Sequence, residues 1–523
     1  MKLLCFFAAL GCAAAANAGT LSLDRGSYEI GDTITATYTT DQPGDLNWLG
    51  VYRQPGNGPV NGVYVGPSIV WTYAPTASGT KTLATSTLTP GRHVMYFLLN
   101  DGYVSTATPV EFDVVPRQTD TSLAFLAGAI AERNARVGDA YAGSVRGAAR
   151  APAAATLTYA KNGGPAWLAV AANGDLSGTP GEADIGDNAF ALTVSDGTGA
   201  SASASLAIRV RAAGEPVVDT LRVMSFNAWQ GGSRVDAARD KQRRIVFAQN
   251  ADVVGIQEDA GTAQALATAL GWSHRTLGGL AILSRYPIVG EARADFGGGP
   301  IALGVRVRVA EAPPQEIVVW TTQLAYSPYG PYDACFGGYQ AADLVRRENE
   351  SGRVAAIDAT LAAMQPQIAD RALTDVVLTG DFNAPSHLDW TEATSAQHCN
   401  AGAVAWPATR AVENAGLADT YRAVHPDAAA QAGNTWSPIY PQHGGASGKD
   451  EPQDRIDYVF HAGDDWRAAA SESVVIGTPA AYPNVAANVW PSDHAAVVTT
   501  FDYVATGDAV FVDGFEDVAR LEE

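Results

Sequence analysis

The chain has 523 residues, 47% hydrophobic and 17% charged, enough to bury several ordinary cores and too polar to be one long membrane element. Its formal charge of -21, from 34 basic and 55 acidic side chains, excludes long-range attraction to a polyanion and so disfavours a high-affinity nucleic-acid binder. Local phosphate chemistry stays open, because a divalent metal and a few arginines can carry a phosphate through a negative global field.

Met1 and Lys2 precede an apolar run that ends in small residues, the pattern of a secretory signal over residues 1–18 with cleavage after Ala18. A lipoprotein signal ending at Cys12 is the rival, but Ala9-Leu10-Gly11-Cys12 is a poor version of that pattern. The mature chain is therefore expected to be secreted or periplasmic. No later segment supplies the roughly twenty uninterrupted apolar residues of a membrane span, so no transmembrane anchor is expected. Removing the signal leaves Cys335 and Cys399, both in loop-like stretches. Outside the cytoplasm these are expected to form a disulfide, the alternative being two unrelated thiols.

Residues 20–115 read as short strands between turn residues: Thr33 to Thr39, Leu46 to Tyr52, a run ending at Asn100 and another ending at Val115. The spacing suits a small antiparallel Ig-like sandwich. After a polar joint at Pro116 to Thr121, residues 118–212 again alternate strands and tight turns. The segments Gly164 to Leu168 and Leu176 to Pro180 read G-P-A-W-L and L-S-G-T-P, and with them the module resembles bacterial Ig-like, cadherin-related repeats. Such repeats serve as spacers or adhesion units, which implies a glycan or cell-surface ligand for the front domains. Asp175, Asp184 and Asp196 show no metal-loop spacing and read as turn caps.

Residues 217–504 mix β-like runs with amphipathic segments. A first strand reaches Asn227, and the helical stretch after it carries Arg239, Lys241, Arg243 and Arg244. These read as a solvated face, with Ile245, Val246 and Phe247 partly buried. Further strands are expected before Glu258 and at Leu280 to Leu283, Ile301 to Val309, Ile317 to Gln323, Val376 to Leu378, Ile456 to Phe460 and Ala495 to Phe501. Residues 505–523 form an acidic, Gly-punctuated tail, read as a flexible appendage.

Several acidic or amide residues sit where apolar runs end: Asn227, Glu258, Asp381 and Asn383 in T-G-D-F-N, Asp457, and Asp493 beside His494 in W-P-S-D-H. Hard oxygen ligands at one rim of a sheet suit Mg²⁺, Mn²⁺ or Ca²⁺. Together with G-G-L-A-I-L-S-R-Y-P-I at Gly278 to Ile288, these segments resemble the endonuclease/exonuclease/phosphatase, or DNase I-like, superfamily. The resemblance implies a four-layer α/β sandwich of two central sheets behind the two N-terminal all-β sandwiches. It also implies site roles. Asn227, Glu258 and Asp493 surround a divalent cation, Mg²⁺ first, with Mn²⁺ or Ca²⁺ as alternatives. Asp381 takes a proton from the attacking water, Asn383 positions it, His494 contacts a phosphate oxygen and Asp457 holds the imidazole ring.

One departure stands out: relatives place a histidine in a T-H-L-like segment where this chain has Gln323, which donates a hydrogen bond but cannot titrate near neutrality. Tyr326, Tyr329 and Tyr332 follow as candidates for an aromatic wall. His387 and Trp390, in the loop after Asn383, and Trp436 in N-T-W-S-P are further substrate-side candidates, with His425 weaker. The expected function is a metal-dependent phosphoesterase acting on a small phosphodiester or phosphomonoester. The alternatives are an extracellular nuclease acting on DNA or RNA, a sphingomyelinase-like phospholipase, or a non-catalytic surface-binding protein. No exposed apolar hairpin is evident to enter a bilayer, which weakens the lipid alternative.

Overall fold

The computed structural model describes residues 19–504 and 516–517, apart from 55, 90, 116–121, 153–154, 312–313 and 446–447. The expected signal, the joint at Pro116 to Thr121 and most of the acidic tail lie outside the described residues. Two units divide the chain, residues 1–119 and 120–523.

In the first unit, strand Thr33–Thr39 turns Ile34, Ala36 and Tyr38 inward and its threonines outward, the period of two that a half-buried strand requires. It is the centre of a three-stranded sheet, between Thr20–Leu23 and Ser78–Ala84. A five-stranded sheet, in the order Ser27–Glu29, Val110–Val115, Gly91–Leu98, Trp48–Arg53, Val70–Tyr73, supplies Leu49, Val51, Met95 and Phe97 to the shared core. The reverse face of that sheet carries a second apolar layer of Trp48, Tyr52, Val94 and Leu98. Above it stands the turn Val60 to Val63, with Tyr64 and Val65 behind, all exposed. This corrects the expectation that no exposed apolar hairpin exists. The run is interrupted by Asn61 and Gly62, and only the folded turn shows that the valines on either side face water together.

In the second unit, Ala129–Ala131, Ser201–Arg211, Gly186–Ser195 and Thr158–Gly163 form one sheet, and Tyr141–Ser144, Asp175–Gly178 and Leu168–Val170 form another. Leu168, Leu176, Phe190, Leu206 and Ile208 fill the space between them. Asp184 accepts from the backbone of Gly181 and Asp196 from that of Thr198, the expected turn roles, while Asp175 pairs with Arg146.

This sandwich docks on the α/β region that follows. The helix Ala238–Ala248 was expected to show its cations to solvent; Arg239 does, yet Lys241, Arg243 and Arg244 are buried. Lys241 reaches the carbonyl of Asn488, Arg243 that of Gly147 in the sandwich, and both arginines pair with Asp240. Phe247 packs against the sandwich core. A cationic face reads as solvated from sequence because its partners, two carbonyls from distant segments, carry no sequence signature.

The α/β region stacks two sheets. One runs Ser273–Leu277, Leu280–Ser284, Val253–Gln257, Thr220–Asn227, Ala496–Tyr503, Trp466–Val474. The other runs Ala418–Asp419, Asp457–Ala462, Asp375–Asp381, Pro314–Gln323, Gly299–Glu311, Ile288–Phe296, Glu516–Asp517. Val223, Val253, Ile282 and Val497 of the first interlock with Val305, Val319, Val377 and Val459 of the second. At Gly255 the sheets approach so closely that a Cβ would lie 2.0 Å from the hydroxyl of Thr379, so a side chain there would push them apart. Outer layers complete the four-layer sandwich: Ala238–Ala248 and Thr262–Leu270 on one side, and Arg353–Ala369 and Pro407–Asn414 on the other. Strands Ile288–Phe296 and Trp466–Val474 had no clear sequence signal, because their polar residues alternate without a long apolar run.

Candidate active site

Three neighbouring strands of the second sheet end in register. Gln323 lies opposite Asp381 in a parallel pairing, and Asp381 opposite Asp457 in an antiparallel one. The first sheet ends at the same rim: Asn227 pairs with Gln257, one residue before Glu258, and the strand Ala496–Tyr503 begins two residues after His494. Because both sheets expose their ends on one side, residues far apart in sequence converge.

Asp381 is the acceptor at the centre. Its Oδ2 receives Nδ2 of Asn227 at 3.0 Å, Nδ2 of Asn383 at 3.0 Å and Nε2 of Gln323 at 3.3 Å, while its Oδ1 receives the Asn383 backbone N–H at 2.9 Å. Gln323 also donates to Glu258 Oε1 at 3.1 Å, and the backbone N–H of Gln230 donates to Glu258 Oε2 at 2.9 Å. The neutral amide of Gln323 thus bridges two carboxylates. His494 Nδ1 lies 2.9 Å from Asp457 Oδ2, and its Nε2 lies 3.5 Å from Asn227 Nδ2 and 4.0 Å from Asp493 Oδ1. Trp229, Gln230, Glu258 and Asn383 all hold φ between 48° and 53°. Four non-glycine residues in the left-handed region at one rim store about 1–3 kcal/mol each, strain of the kind that collects where side chains must be aimed.

Burial pushes the Asp381 carboxyl up to about 7; His494 pulls the other way and Asp457 adds to the rise. Burial likewise raises Asp493 to about 7, against the pull of His494 and with help from Glu258. For His494, burial opposes the charge, yet Asp457 and Asp381 outweigh it and hold the imidazolium up to about 10. The site therefore keeps one cation beside two carboxyls, Asp381 and Asp493, that burial makes reluctant to ionise.

Asp381, Asp457 and His494 bring ligating atoms within 4.8 Å of one another, a candidate divalent-cation site. Oδ1 of Asp457 and Oδ1 of Asp493 are buried without a hydrogen-bond partner among the described residues, which fits a rim that receives positive charge. Its oxygens suit a hard cation. The histidine could ligate through Nε2 only by giving up the proton there; burial opposes that charge, but Asp457 and Asp381 hold the imidazolium up to about 10, so proton and cation compete for that corner.

The remaining expected site residues divide. Trp436 packs edge-on against His494, ring centroids 5.0 Å apart, and donates to Glu451 at 2.8 Å. Tyr332 donates its hydroxyl to the same Glu451 oxygen. Tyr326 is 80% exposed. Both ring nitrogens of His387 are occupied elsewhere, by Thr409 at 3.0 Å and Glu413 at 2.8 Å. The expectation that it reaches the phosphate is therefore corrected: the helix Pro407–Asn414, invisible as a neighbour in sequence, captures the ring. His425 is similarly held by Gln431 and the Ser471 carbonyl, and Trp390 is buried with its N–H on Asp454 at 2.7 Å. Arg455 pairs with Asp389 and Asp419, leaving Asp457 to His494. Cys335 and Cys399 form the expected disulfide.

Two contributors were missed. Ser492 donates to the Asn227 carbonyl at 2.7 Å and accepts from the His494 N–H at 3.1 Å, tying the histidine loop to the first sheet. A serine two residues before His494 was a readable signal for such a local turn. Asp454 is buried behind Trp436, accepting from Trp390 at 2.7 Å and Tyr329 at 3.3 Å. Burial pushes its carboxyl from 3.8 up to about 7. The folded state then binds the proton more tightly than the unfolded chain, so stability falls as pH rises from about 4 to 7. In metal-free protein, Asp454→Asn is expected to flatten that fall and to raise the urea midpoint at neutral pH; an unchanged pH slope would remove Asp454 as its source.

Residues 224–494 match the Endonuclease/Exonuclease/phosphatase family, and residues 124–211 match a putative Ig domain. An uncharacterized protein of Caenorhabditis elegans is 30% identical over 296 residues, covering 54% of this chain and 92% of that protein. Among solved structures, truncated TDP2 of Caenorhabditis elegans aligns at 17% identity and a TM-score of 0.35, covering 54% of this chain and 97% of that one. A 3' phosphatase from Neisseria bound to a product DNA hairpin aligns at 19% identity and a TM-score of 0.36, covering 54% and 100%.

Proposed function

Because this chain belongs to the endonuclease/exonuclease/phosphatase family and carries the acidic and histidine cluster of a metal-dependent hydrolase, we propose that it is a secreted or periplasmic phosphoesterase for small phosphodiesters or phosphomonoesters. The observation that carries this reading is the buried set Asp381, Asp457 and His494, in which an acceptor and an imidazolium face the same space. Its restriction to small esters rests on charge. His494 is the one cationic side chain of the cluster, Gln323 adds none, and a chain of -21 offers a long polyanion no steering.

A bound divalent cation, Mg²⁺ on this proposal, would neutralise phosphoryl charge and polarise the phosphorus–oxygen bonds. Glu258, Asp493 and Asn227 would hold it through carboxylate and amide oxygens, and on this reading the adjoining Asp381, Asp457 and His494 serve water and phosphate rather than forming the ligand set. Asp381 accepts the proton of the attacking water, with Asn227, Asn383 and Gln323 fixing the carboxylate in place. His494 donates from Nε2 to a non-bridging phosphate oxygen, and Asp457 keeps the ring charged and oriented. Trp436 closes one side of the imidazole against water.

The test is hydrolysis of bis-p-nitrophenyl phosphate, p-nitrophenyl phosphate, DNA, RNA and phospholipid by the full chain, across Mg²⁺, Mn²⁺ and Ca²⁺. Small esters are expected to turn over fastest, with Glu258→Gln raising the Mg²⁺ concentration needed for half-activity. DNA cleaved much faster than either small ester would make the chain a nuclease, and turnover unaffected by a chelator would reject the metal.

A further inference from the structure

The apolar side chains that the first unit leaves in water are gathered on one surface. The turn Val60-Asn61-Gly62-Val63 is closed by two backbone hydrogen bonds of 3.0 and 3.1 Å between its ends. It presents Val60 at 59% and Val63 at 64% exposure, with Tyr64 and Val65 each at 51%. Val104, 58% exposed, lies over the turn, where a Cβ on Gly62 would meet it at 3.1 Å. The rings of Tyr64 and Tyr103 are 5.1 Å apart, Tyr103 and Trp71 both pack on Trp48, and Trp71 meets Tyr73 at 5.1 Å. The patch therefore runs unbroken from the turn to the edge strand Val70–Tyr73. Single exposed apolar residues are ordinary, but a contiguous surface of them marks an interaction site.

Its chemistry selects the partner. Leu46, Val60, Val63, Val65 and Val104 offer neither a hydrogen bond nor a ring face, so they are satisfied only by an apolar phase. Tyr64, Trp71 and Tyr73 around them combine an apolar body with a polar edge, the residues that settle at a membrane–water boundary. The segments that build the patch, residues 42–48, 56–74 and 99–105, contain no lysine or arginine, and their charges are Asp45 and Asp101. Anionic headgroups are thus not attracted. A sugar chain prefers ring faces laid side by side, whereas Trp48/Trp71, Trp48/Tyr103 and Trp71/Tyr73 stand at 84°, 82° and 80°.

We propose that this surface docks the protein peripherally on a zwitterionic lipid bilayer, with Val60 and Val63 entering the acyl boundary and Tyr64, Trp71 and Tyr73 at headgroup level. Flotation of the full chain with phosphatidylcholine vesicles tests it, with and without added phosphatidylglycerol and beside a polysaccharide-resin arm. The chain is expected to float with phosphatidylcholine and to bind less as phosphatidylglycerol is added. Val60→Asp combined with Val63→Asp lowers the bound-to-free ratio by about ten-fold or more, since burying one valine is worth about a power of ten in partition. Near-UV circular dichroism and small-ester hydrolysis remain those of the parent. The milder Val63→Ser reduces binding partially, and Trp71→Phe diminishes the vesicle-induced blue shift of tryptophan emission while flotation persists. No flotation of the full chain, or equal flotation by the double variant, overturns the proposal. So does a double substitution that abolishes self-association or resin retention in a chain that does not bind vesicles.

Discussion

Asp381→Asn lowers kcat on bis-p-nitrophenyl phosphate by about 10²–10⁴-fold, the usual worth of a positioned general base, with KM changed far less. Every group around Asp381 donates: Asn227, Asn383 through side chain and backbone, and Gln323. That arrangement is built for a carboxylate, and an amide can neither take the proton of water nor accept as many bonds. Burial sets the carboxyl at about 7, so in the parent kcat/KM falls as pH drops and the acceptor becomes protonated. A bound cation lowers that value, so half-activity on the acid side lies at or below about 7. The variant should lack this acid limb altogether. Parent-like kcat with an intact acid limb would show that another group receives the proton.

The second large effect concerns the imidazolium. His494→Ala is expected to cost about 10²–10³-fold in kcat/KM, comparable to losing one preorganised donor to a developing anion. Asp457→Asn keeps the ring yet removes the charge 2.9 Å from its Nδ1, so it separates orientation from electrostatics. The sign follows from linkage. The folded value, about 10, exceeds the ordinary 6.5, so the pairing stabilises the fold fully below 6.5 and its contribution disappears as pH rises through about 10. In Asp457→Asn the alkaline limb of the rate profile moves to lower pH, and the alkaline loss of urea stability in metal-free protein becomes shallower. An alkaline limb that stays in place would assign it to a group other than His494.

These two variants probe residues that were readable from the primary structure for a local reason. T-G-D-F-N places a polar side chain directly where an apolar run stops and W-P-S-D-H where one starts, so both mark the end of a buried strand. Cys335 and Cys399 were legible as a pair for a different reason, because few thiols remain once the expected signal is removed. His387 was misjudged because proximity along the chain says nothing about which helix will face the ring, and Thr409 and Glu413 claimed it. Tyr326 was left between two roles, since a loop tyrosine can line a wall or stand in water, and it is 80% exposed.

By itself, the sequence determined the alternation that makes the front modules β sandwiches, the apolar strands of the double-sheet region and the order of the acidic, amide and histidine positions. Those properties depend on local periodicity and on where hydrophobic runs end. Only the tertiary structure decided that Gln323 would bridge Glu258 and Asp381, that Arg243 of the cationic helix would be buried against the second sandwich, and that the valine turn would join an aromatic surface. Each of those depends on strand register or on packing between segments remote in the chain, and pairing energies of that kind are set by which surfaces meet once the cores have closed.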